Sequence, residues 1–470
     1  MARNSASLAR ADLRVVRIVR RAWHNALAMP SADHEAAARA ELERFFRAAI
    51  AAVDPARLIF RALDGGIAET AALPAAISAA RRVIALAIGK GAAAMASALE
   101  ARLGDRIADG IAVIPALDDT PLLERFDVLR GEHPIPGRAS EHSAHAALDL
   151  VGGLREDDLL IVALSGGASA MLSAPAPGLL LEDKIAITEA ILRSGAPIRE
   201  FNLVRKHLSA VKGGRLAAAA NPARVFGLIL SDVPGNDIAT IGSGLTAPDP
   251  ATFADAVSVL KRRGLWGRAP ERVRAHLERG ASGEIAETPK PGDPLFARVS
   301  NAIIGDNATA LDAAASAAAA AGYTVARFPE LRAEADALGR ALANRIAAMP
   351  AGQICAIAGG EPVVTVRGGG KGGRAQHCAL AMAAELAQVA PERKIIALFA
   401  GSDGIDGPTD AAGGFASPAT VARADARGMS AATALARNDA YNLLDGAGDL
   451  FRTGPTGTNV GDIFLAIIDY

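Results

Sequence analysis

The chain has 470 residues, more than a single hydrophobic core usually organises, so its length predicts two domains. Its formal net charge of −1 gives no sign of nucleic acid or an anionic membrane as a partner. The apolar fraction of 51% contains only 4% aromatic residues, which favours helices packed on parallel sheets over an aromatic-rich β-sandwich.

The sequence predicts neither a targeting segment nor a membrane-spanning segment. Residues 11–28 carry apolar side chains at helical spacing and predict an amphipathic helix, and residues 37–53 predict a second. No stretch of about 20 uncharged apolar residues predicts a membrane span. Two cysteines, Cys355 and Cys378, are too few for a secreted disulfide framework and are expected to be buried. A cytoplasmic enzyme is the simplest expectation.

Apolar runs that stop at glycine-rich turns predict the strands of an α/β fold. Because these runs alternate with helical segments, we expect parallel sheets and βαβ units in both halves. Residues 268–300 are charged, contain four prolines and lack a clear period. They predict a linker between an N-terminal domain (11–267) and a C-terminal domain (301–470). The runs predicted as strands are 83–88, 111–114, 159–164, 225–230, 302–304, 354–358, 363–367, 395–400 and 463–468.

One turn illustrates the chemistry expected at the ends of these strands. The run 159–164 ends in Ser165, Gly166, Gly167, Ala168 and Ser169, after which helical spacing resumes. A strand, a glycine turn and a helix can aim a row of backbone N–H groups at an anion. A single turn of this kind is most often an ordinary βα loop, but the chain repeats the arrangement several times.

Polar residues collect where ligands bind in open α/β sheets, beyond the carboxyl ends of the strands. Lysines in or beside the glycine-flanked segments supply cations for phosphates, and carboxylates such as Asp232 or Asp403 are suited to Mg²⁺. No P-loop and no GxGxxG fingerprint follows any strand. The residues alone therefore predict a nucleotide- or phosphate-handling α/β enzyme. The residues that follow predicted strands are Lys90, Ser165 to Ser169, Asp232, Asp237, Lys371, Arg374, Asp403 and Asp406.

Three histidines are candidates for acid–base chemistry, each with a simpler structural interpretation. His133 lies among prolines and favours loop packing, and His207 favours a helix face. His377, close to Arg374, is the better candidate. Asp403 and Asp406 have an alternative role as well, since aspartates in turns often accept hydrogen bonds from nearby amides.

Several motifs in a fixed order resemble the glycerate 2-kinases of the MOFRL type, once labelled hydroxypyruvate reductases. The resemblance spans about residues 13–468 and is weakest around 255–300. The motifs are AIGKG (87–91), LSGGASAML (164–172), NLVRKHLSAVKGGRLA (202–217), LSDVPGND (230–237), GDN (305–307), GGEPVVTV (359–366), GGKGGR (369–374), GSDGIDGPTDAAGG (401–414) and TGPTGTNVGD (453–462).

The resemblance implies ATP- and Mg²⁺-dependent phosphorylation of D-glycerate at its 2-hydroxyl, which gives 2-phosphoglycerate. It implies a larger Rossmann-like N-terminal domain with a parallel sheet, a smaller C-terminal α/β MOFRL domain, and an active site in the interdomain cleft. It also makes Lys90 and Arg374 the charged pair central to catalysis. The partners expected are glycerate and ATP, with a monomer or homodimer as the assembly.

We assign the remaining site residues on the same basis. Asp232 is the third catalytic candidate, and Asp232 and Asp403 are the candidate metal ligands. Arg205, Lys206 and Asp403 are assigned to the hydroxy acid. The ATP phosphates are assigned to Gly89, Ser165, Gly166, Gly167, Ala168, Ser169, Lys212, Gly372 and Gly373.

The chain departs from the family pattern at several positions, which bears on the hydroxy acid more than on the reaction class. Ala375 follows the arginine of GGKGGR where Asn is common, Gly137 ends a segment that usually ends in Asp, and Asn236 replaces an Asp. Two other functions stay open. One is an NAD(P)H-dependent hydroxypyruvate reductase, which the missing dinucleotide fingerprint disfavours, and the other is a non-catalytic metabolite-binding regulator.

Overall fold

The computed structural model describes residues 32–469, so the helix predicted at 11–28 lies outside the described residues. The α-helices are α1 (Ala32–Ala52), α2 (Pro55–Leu63), α3 (Leu73–Ala79), α4 (Ala92–Leu103), α5 (Arg138–Val151), α6 (Ala168–Met171), α7 (Leu181–Arg193), α8 (Ile198–His207), α9 (Arg215–Ala220), α10 (Phe253–Arg262), α11 (Glu271–Ala281), α12 (Asn307–Ala320), α13 (Ala335–Ala347), α14 (Arg374–Val389), α15 (Thr420–Asp425), α16 (Ala431–Arg437) and α17 (Ala440–Ala447). The strands are β1 (Val83–Ile88), β2 (Ile107–Pro115), β3 (Asp127–Gly131), β4 (Leu159–Leu164), β5 (Arg224–Leu230), β6 (Val299–Gly305), β7 (Thr324–Arg327), β8 (Ile354–Gly360), β9 (Ile395–Gly401), β10 (Gly413–Ala416), β11 (Leu450–Phe451) and β12 (Asp462–Ile468).

The first sheet contains six parallel strands in the order β3-β2-β1-β4-β5-β6. Every residue of β1 and β4 is buried, as the uninterrupted apolar runs predict for strands covered by helices on both faces. The order reverses direction between β1 and β4, the switch point at which doubly wound sheets bind their ligands. The Rossmann-like arrangement expected for the N-terminal part is confirmed.

The second sheet also has six strands, in the order β11-β10-β9-β12-β8-β7, but it is mixed. Only β7 and β8 pair in parallel, and β12 lies between β8 and β9 and runs antiparallel to both. The prediction of a parallel sheet in the C-terminal half is therefore wrong. A strand that is buried on both faces has the same apolar sequence in either direction, so hydrophobicity could not reveal its orientation.

The expected strand at 363–367 is also absent from the described structure. Apart from one bridge at Val363, this segment has no regular secondary structure, and Val363 and Val366 are exposed. Conversely, β3 was not predicted because its sequence, DVLRG, mixes charged and apolar residues at the edge of the sheet.

The chain forms two compact units, each with its own sheet and core. The N-terminal unit contains Ala49–Ala313 together with Pro455–Gly461, and the C-terminal unit contains the other described residues. The segment expected as a linker, 268–300, includes α11 and leads into β6, which pairs with β5. Val273 and Leu277 of α11 are buried with residues of α7, α8 and α10. Their four-residue spacing is typical of a helix, but the surrounding prolines and charged residues hid it in the sequence. Which ranges correspond to the two family domains stays a prediction.

Both cysteines are fully buried, as expected. Across residues 32–469, no helix combines the length and the apolarity needed to cross a bilayer.

Candidate active site

The turns that follow β1 and β4 are joined to each other at the switch point of the first sheet. The amide of Lys90 donates to the carbonyl of Gly166 at 2.9 Å, and the amide of Gly91 donates to Ser165 Oγ at 2.9 Å. Gly89 has φ +118°, and a Cβ on it would overlap Ser165. The two turns are therefore built as one surface, in which the Lys90 backbone lies beside Gly166.

The 165–169 turn presents two backbone N–H groups. Gly167 has φ +88° and leads into α6, and the amides of Gly166 and Gly167 donate to no acceptor within residues 32–469. The helix that follows has only four residues, shorter than the sequence suggested, so any anion here would be bound by individual amides more than by a helix dipole.

Asp232, which follows β5, lies against the same turn. Its carboxylate is so close to Gly166 that a Cβ on Gly166 would reach Asp232 Oδ2 at 2.5 Å. Asn459 Nδ2 donates to Asp232 Oδ2 at 3.3 Å from the distant segment Pro455–Gly461, which belongs to the N-terminal unit. The structure thus brings Lys90, the 165–169 turn and Asp232 together at the carboxyl ends of β1, β4 and β5.

The last residue of this turn, Ser169, is contacted by two cationic side chains, those of Arg205 and Lys212. Lys212 Nζ donates to the Ser169 carbonyl at 2.6 Å, and Arg205 Nη2 donates to the same oxygen at 3.2 Å. The sequence had assigned these residues to different ligands, the nucleotide and the hydroxy acid, but the structure places them in one cluster. Lys206 points elsewhere and pairs with the buried Asp249 at 3.3 Å.

Arg374 begins α14 in the C-terminal unit, where carboxylates hold it. Its Nε donates to Asp462 Oδ2 at 2.7 Å, its Nη2 to Asp462 Oδ1 at 3.1 Å, and its Nη1 to Glu361 Oε1 at 2.7 Å. Burial lowers the pKa of the guanidinium, but the ion pairs with Asp462 and Glu361 outweigh burial and raise it. Burial raises the pKa of Asp462 to about 6, although Arg374 lowers it.

The turn after β9 supports the start of α14. Asp406 accepts hydrogen bonds from the amides of Ala375 at 3.1 Å and Gln376 at 2.8 Å, and so caps the helix that begins with Arg374. Gly373 packs so tightly against Asp406 that a Cβ there would overlap the carboxylate, and Gly372 packs against Gly407. Asp403 accepts the Ile405 amide at 3.1 Å, the local turn contact considered as its alternative role.

Comparison with known proteins identifies the family. Residues 41–278 match the domain of unknown function DUF4147, and residues 354–462 match the MOFRL family. The glycerate 2-kinase of Pyrococcus horikoshii is 36% identical over 428 residues, which cover 89% of this chain and 95% of that protein. This chain belongs to the glycerate 2-kinase family. The predicted resemblance is confirmed.

Two further relatives of this glycerate 2-kinase family member are informative. The crystal structure of a glycerate kinase from Thermotoga maritima superposes with a TM-score of 0.76 at 35% identity, covering 91% of this chain and 100% of that one. A protein of Agrobacterium vitis named putative hydroxypyruvate reductase is 37% identical over 444 residues, covering 93% of this chain and 95% of that protein. The reductase name therefore occurs among the relatives on a protein described as putative.

Two of the three candidate histidines of this family member are buried, and the third lies beside a glycine of the 165–169 turn. His207 is fully buried, its Nδ1 lies 2.9 Å from the Leu203 carbonyl, and burial lowers its pKa. His377 is buried on α14, and burial lowers its pKa too. His133 lies beside Gly167, where an added Cβ would come within 3.2 Å of its ring. Of the three, His133 is the one next to the 165–169 turn.

Sequence reasoning missed two groups of polar residues. Asn459 stands in the TGPTGTNVGD motif, and its position in that motif was the available signal for a role in the site. Ser243 and Asn202 form a hydrogen-bonded chain with Ser169: Ser169 Oγ lies 2.7 Å from Ser243 Oγ, which donates to Asn202 Oδ1 at 3.2 Å. Spacing alone could not have joined these residues, because they come from three separate segments.

Proposed function

We propose that this protein transfers the γ-phosphoryl group of ATP to the 2-hydroxyl of D-glycerate and releases 2-phosphoglycerate and ADP. Its relatives are named as kinases of glycerate, which implies a nucleotide as one substrate. The observation that carries the proposal is the joining of Lys90, the Gly166–Gly167 amides and Asp232 at the switch point of the first sheet.

The chemistry of this surface suits phosphates. Phosphoryl transfer needs positioning and stabilisation of charge more than covalent participation by the protein. The amides of Gly166 and Gly167 would donate to phosphate oxygens, and Lys90 would neutralise charge that develops on them. Arg374 would act on the transferring group, and its rigid fork favours the trigonal oxygens of a phosphoryl group.

A magnesium ion is expected to accompany the nucleotide. Among the described residues, no three His, Cys, Asp or Glu side chains are grouped so that they could hold a metal unaided. Mg²⁺ in nucleotide sites commonly takes one or two carboxylates and completes its shell with phosphates and water, which a single Asp232 fits. Asp232 and Asp403 stay the candidate ligands, and the ion would offset phosphate charge.

The contacts of the remaining residues distinguish binding roles from structural ones. Arg205 reaches the 165–169 turn and suits the carboxylate of glycerate, whereas the ion pair of Lys206 with Asp249 favours a structural role for Lys206. Gly372 and Gly373 shape the start of α14 and so help to position Arg374.

Activity is tested by measuring ADP release from ATP with D-glycerate and by distinguishing 2- from 3-phosphoglycerate with ³¹P NMR. We expect Lys90→Ala and Arg374→Ala each to lower kcat by about 10²- to 10³-fold, as loss of a charge-stabilising group does. Lys261→Ala, an exposed lysine of the same unit as Lys90, serves as the control. Full turnover in both site variants would remove the site assignment.

The reductase alternative is tested with the same preparation. The sheet order is compatible with a dinucleotide, but Gly89-Lys90-Gly91 lacks the third glycine of the fingerprint. We expect no NADH or NADPH oxidation with hydroxypyruvate. Oxidation at a rate comparable to ADP release would favour the reductase.

A further inference from the structure

Three cationic side chains, those of Lys184, Arg205 and Lys212, lie against the backbone that begins at the end of the 165–169 turn. The sequence had assigned roles to Arg205 and Lys212 but not to Lys184. Lys184 of α7 donates to Ser173 Oγ at 3.0 Å and to the Ala174 carbonyl at 3.3 Å. Lys212 donates to the Leu172 carbonyl at 2.9 Å as well as to Ser169. Lys184 and Lys212 are 2% and 0% exposed. With Arg205, they surround a backbone segment of six residues, 169–174.

This cluster has no matching negative charge within it. None of the three side chains forms an ion pair or hydrogen bond with a carboxylate in the described part of the chain. Glu141 favours the charged form of Lys184 electrostatically but does not bond to it. Buried cations are costly unless they are paired, and carbonyl dipoles compensate a full charge only in part. An external anion at this turn would offset that cost and favour the charged forms of the two lysines.

Arg205 is the member of the cluster that a ligand can reach. Arg205 is half-buried, unlike the two fully buried lysines, and its guanidinium stacks over the Phe201 ring at 4.8 Å from the ring centroid. Apart from its bond to Ser169, its N–H groups donate to no acceptor among residues 32–469. The guanidinium thus has donors to spare at the edge of the turn that carries the Gly166 and Gly167 amides.

We propose that Lys184, Lys212 and Arg205 form a binding site for an oxyanion, in which Arg205 contacts the ligand and the two lysines are positioning residues that act through the 169–174 backbone. The ligand is a carboxylate or a phosphoryl group. Its identity as the carboxylate of the hydroxy acid or a phosphate of the nucleotide rests on the proposed function. Lys184 thereby joins the site, although its sequence context is that of an ordinary amphipathic helix.

The protonation state of Lys184 makes the affinity of this site depend on pH. Burial and, to a smaller extent, the charge of Arg205 lower the pKa of Lys184 to about 7, although Glu141 raises it. Burial also lowers the pKa of Lys212, with contributions from Lys184 and Arg205. A bound anion favours the ammonium form, so binding takes up a proton, and affinity falls as the pH rises through about 7. Arg272, on the neighbouring α11, pairs with Asp183.

Calorimetric titration of the full chain tests the proposal, with D-glycerate, ADP and inorganic phosphate as separate probes at pH 6.5 and pH 8.5. Lys184→Met is expected to weaken binding of at least one probe on the order of tenfold at pH 6.5, from loss of one nearby charge. The difference between the wild type and Lys184→Met should shrink at pH 8.5, where the Lys184 amine of the wild type is mostly neutral and neither protein carries a charge at this position. Lys261→Met controls for net charge, and glycerol replaces glycerate as a probe without a carboxylate.

Thermal unfolding separates this role from a structural one. Lys184→Met removes a buried charge and should leave the melting temperature of the protein unchanged or higher. If the role of Lys184 were only structural, the variant would instead be less stable and would bind the probes with unchanged affinity. Arg205→Gln provides a second variant in which the contacting group itself is removed. Weaker glycerate binding assigns the carboxylate, and weaker ADP or phosphate binding assigns the phosphoryl group. Unchanged affinity for all probes in both variants overturns the proposal.

These titrations do not depend on turnover. A protein that binds inorganic phosphate in a Lys184-dependent manner but releases no ADP would keep this site and lose the proposed kinase function. A protein that releases ADP normally in both variants, with unchanged affinities, would keep the kinase function and lose this site.

Discussion

Arg374 is held by two carboxylates that differ in burial. Asp462 is 5% exposed and binds the guanidinium through two hydrogen bonds, whereas Glu361 has a side chain 45% exposed and forms one. A paired, buried carboxylate fixes the orientation of an arginine more strongly than an exposed one, which solvent screens. Asp462 should therefore act as a positioning residue for Arg374.

Replacement of Asp462 tests this relation. Asp462→Asn keeps the shape of the side chain but removes its charge, and we expect kcat to fall on the order of tenfold with a smaller change in the KM for ATP. Glu361→Gln is the matched control and should have a weaker effect. Steady-state kinetics and thermal unfolding of both variants provide the measurement. Equal, small effects of the two substitutions on kcat would contradict the prediction.

Helix α14 depends on Asp406, a buried cap that is costly to ionise. Burial and, to a smaller extent, the nearby charge of Asp462 raise the pKa of Asp406 to about 7, although the amides of Gln376 and Ala375 lower it. In the unfolded chain the same carboxyl has an ordinary, lower pKa. Between these two values the folded state binds more protons than the unfolded state, so its stability falls as the pH rises.

The pH dependence of unfolding tests this cap. Between about pH 4 and pH 7, we expect the free energy of unfolding of the wild type to decrease relative to that of Asp406→Asn. Asn can still accept a hydrogen bond from the helix but does not titrate. Urea unfolding followed by circular dichroism at several pH values provides the measurement. Parallel curves for the two proteins would show that Asp406 does not titrate in this range.

The turn after β1 gives a second prediction about a single element. Gly89→Ala would force a Cβ into Ser165 at φ +118°, whereas Gly153→Ala places a Cβ in open space at φ +85°. Both variants strain the backbone, but only the first also separates the two turns of the switch point. We expect Gly89→Ala to cost about 1–3 kcal/mol more in the free energy of unfolding, measured with urea. Similar losses in the two variants would mean that the turns tolerate separation.

At the level of the whole fold, the N-terminal unit uses residues from far along the chain. Thr458 Oγ1 donates to the Val53 carbonyl at 2.7 Å, and the Val460 carbonyl accepts the Asn307 side-chain amide at 2.9 Å. These contacts fix the segment 455–461, which carries Asn459 to Asp232. The segment is thus part of the proposed site as well as of the core unit.

Removal of the Asn459 amide tests that role. Asn459→Ala leaves Asp232 without this donor, and we expect kcat to fall severalfold while the free energy of unfolding changes by about 1 kcal/mol or less. Asn442→Ala, at an exposed asparagine that bonds to Asp439, is the matched control. Kinetics with D-glycerate and ATP provide the measurement. Unchanged kcat in Asn459→Ala would make the contact with Asp232 dispensable.

Prediction from sequence succeeded where local chemistry decided the structure. The runs 83–88 and 159–164 were recognisable as buried strands because they contain no polar residue. The glycines after them marked the two turns that meet at the switch point, one of which carries Lys90 and the other of which packs against Asp232. It failed where distant segments decide. β12 runs antiparallel to its neighbours, and Lys184 is buried, because of contacts with segments far away in the sequence. The spacing of residues within one segment carries no information about such contacts. The adjacent residues Arg205 and Lys206 likewise looked equivalent, yet they face different partners.

The path of the chain sets a limit on how this protein could be divided. After Ala313 the chain leaves the N-terminal unit for about 140 residues, and it returns to that unit at Pro455–Gly461. It then leaves again to form β12. A gene split at any one point between these segments would give a first fragment that lacks the partner amide of Asp232 and a second that carries it. Two such fragments could recover the site only by reassociating, so domain shuffling would have to move both pieces together.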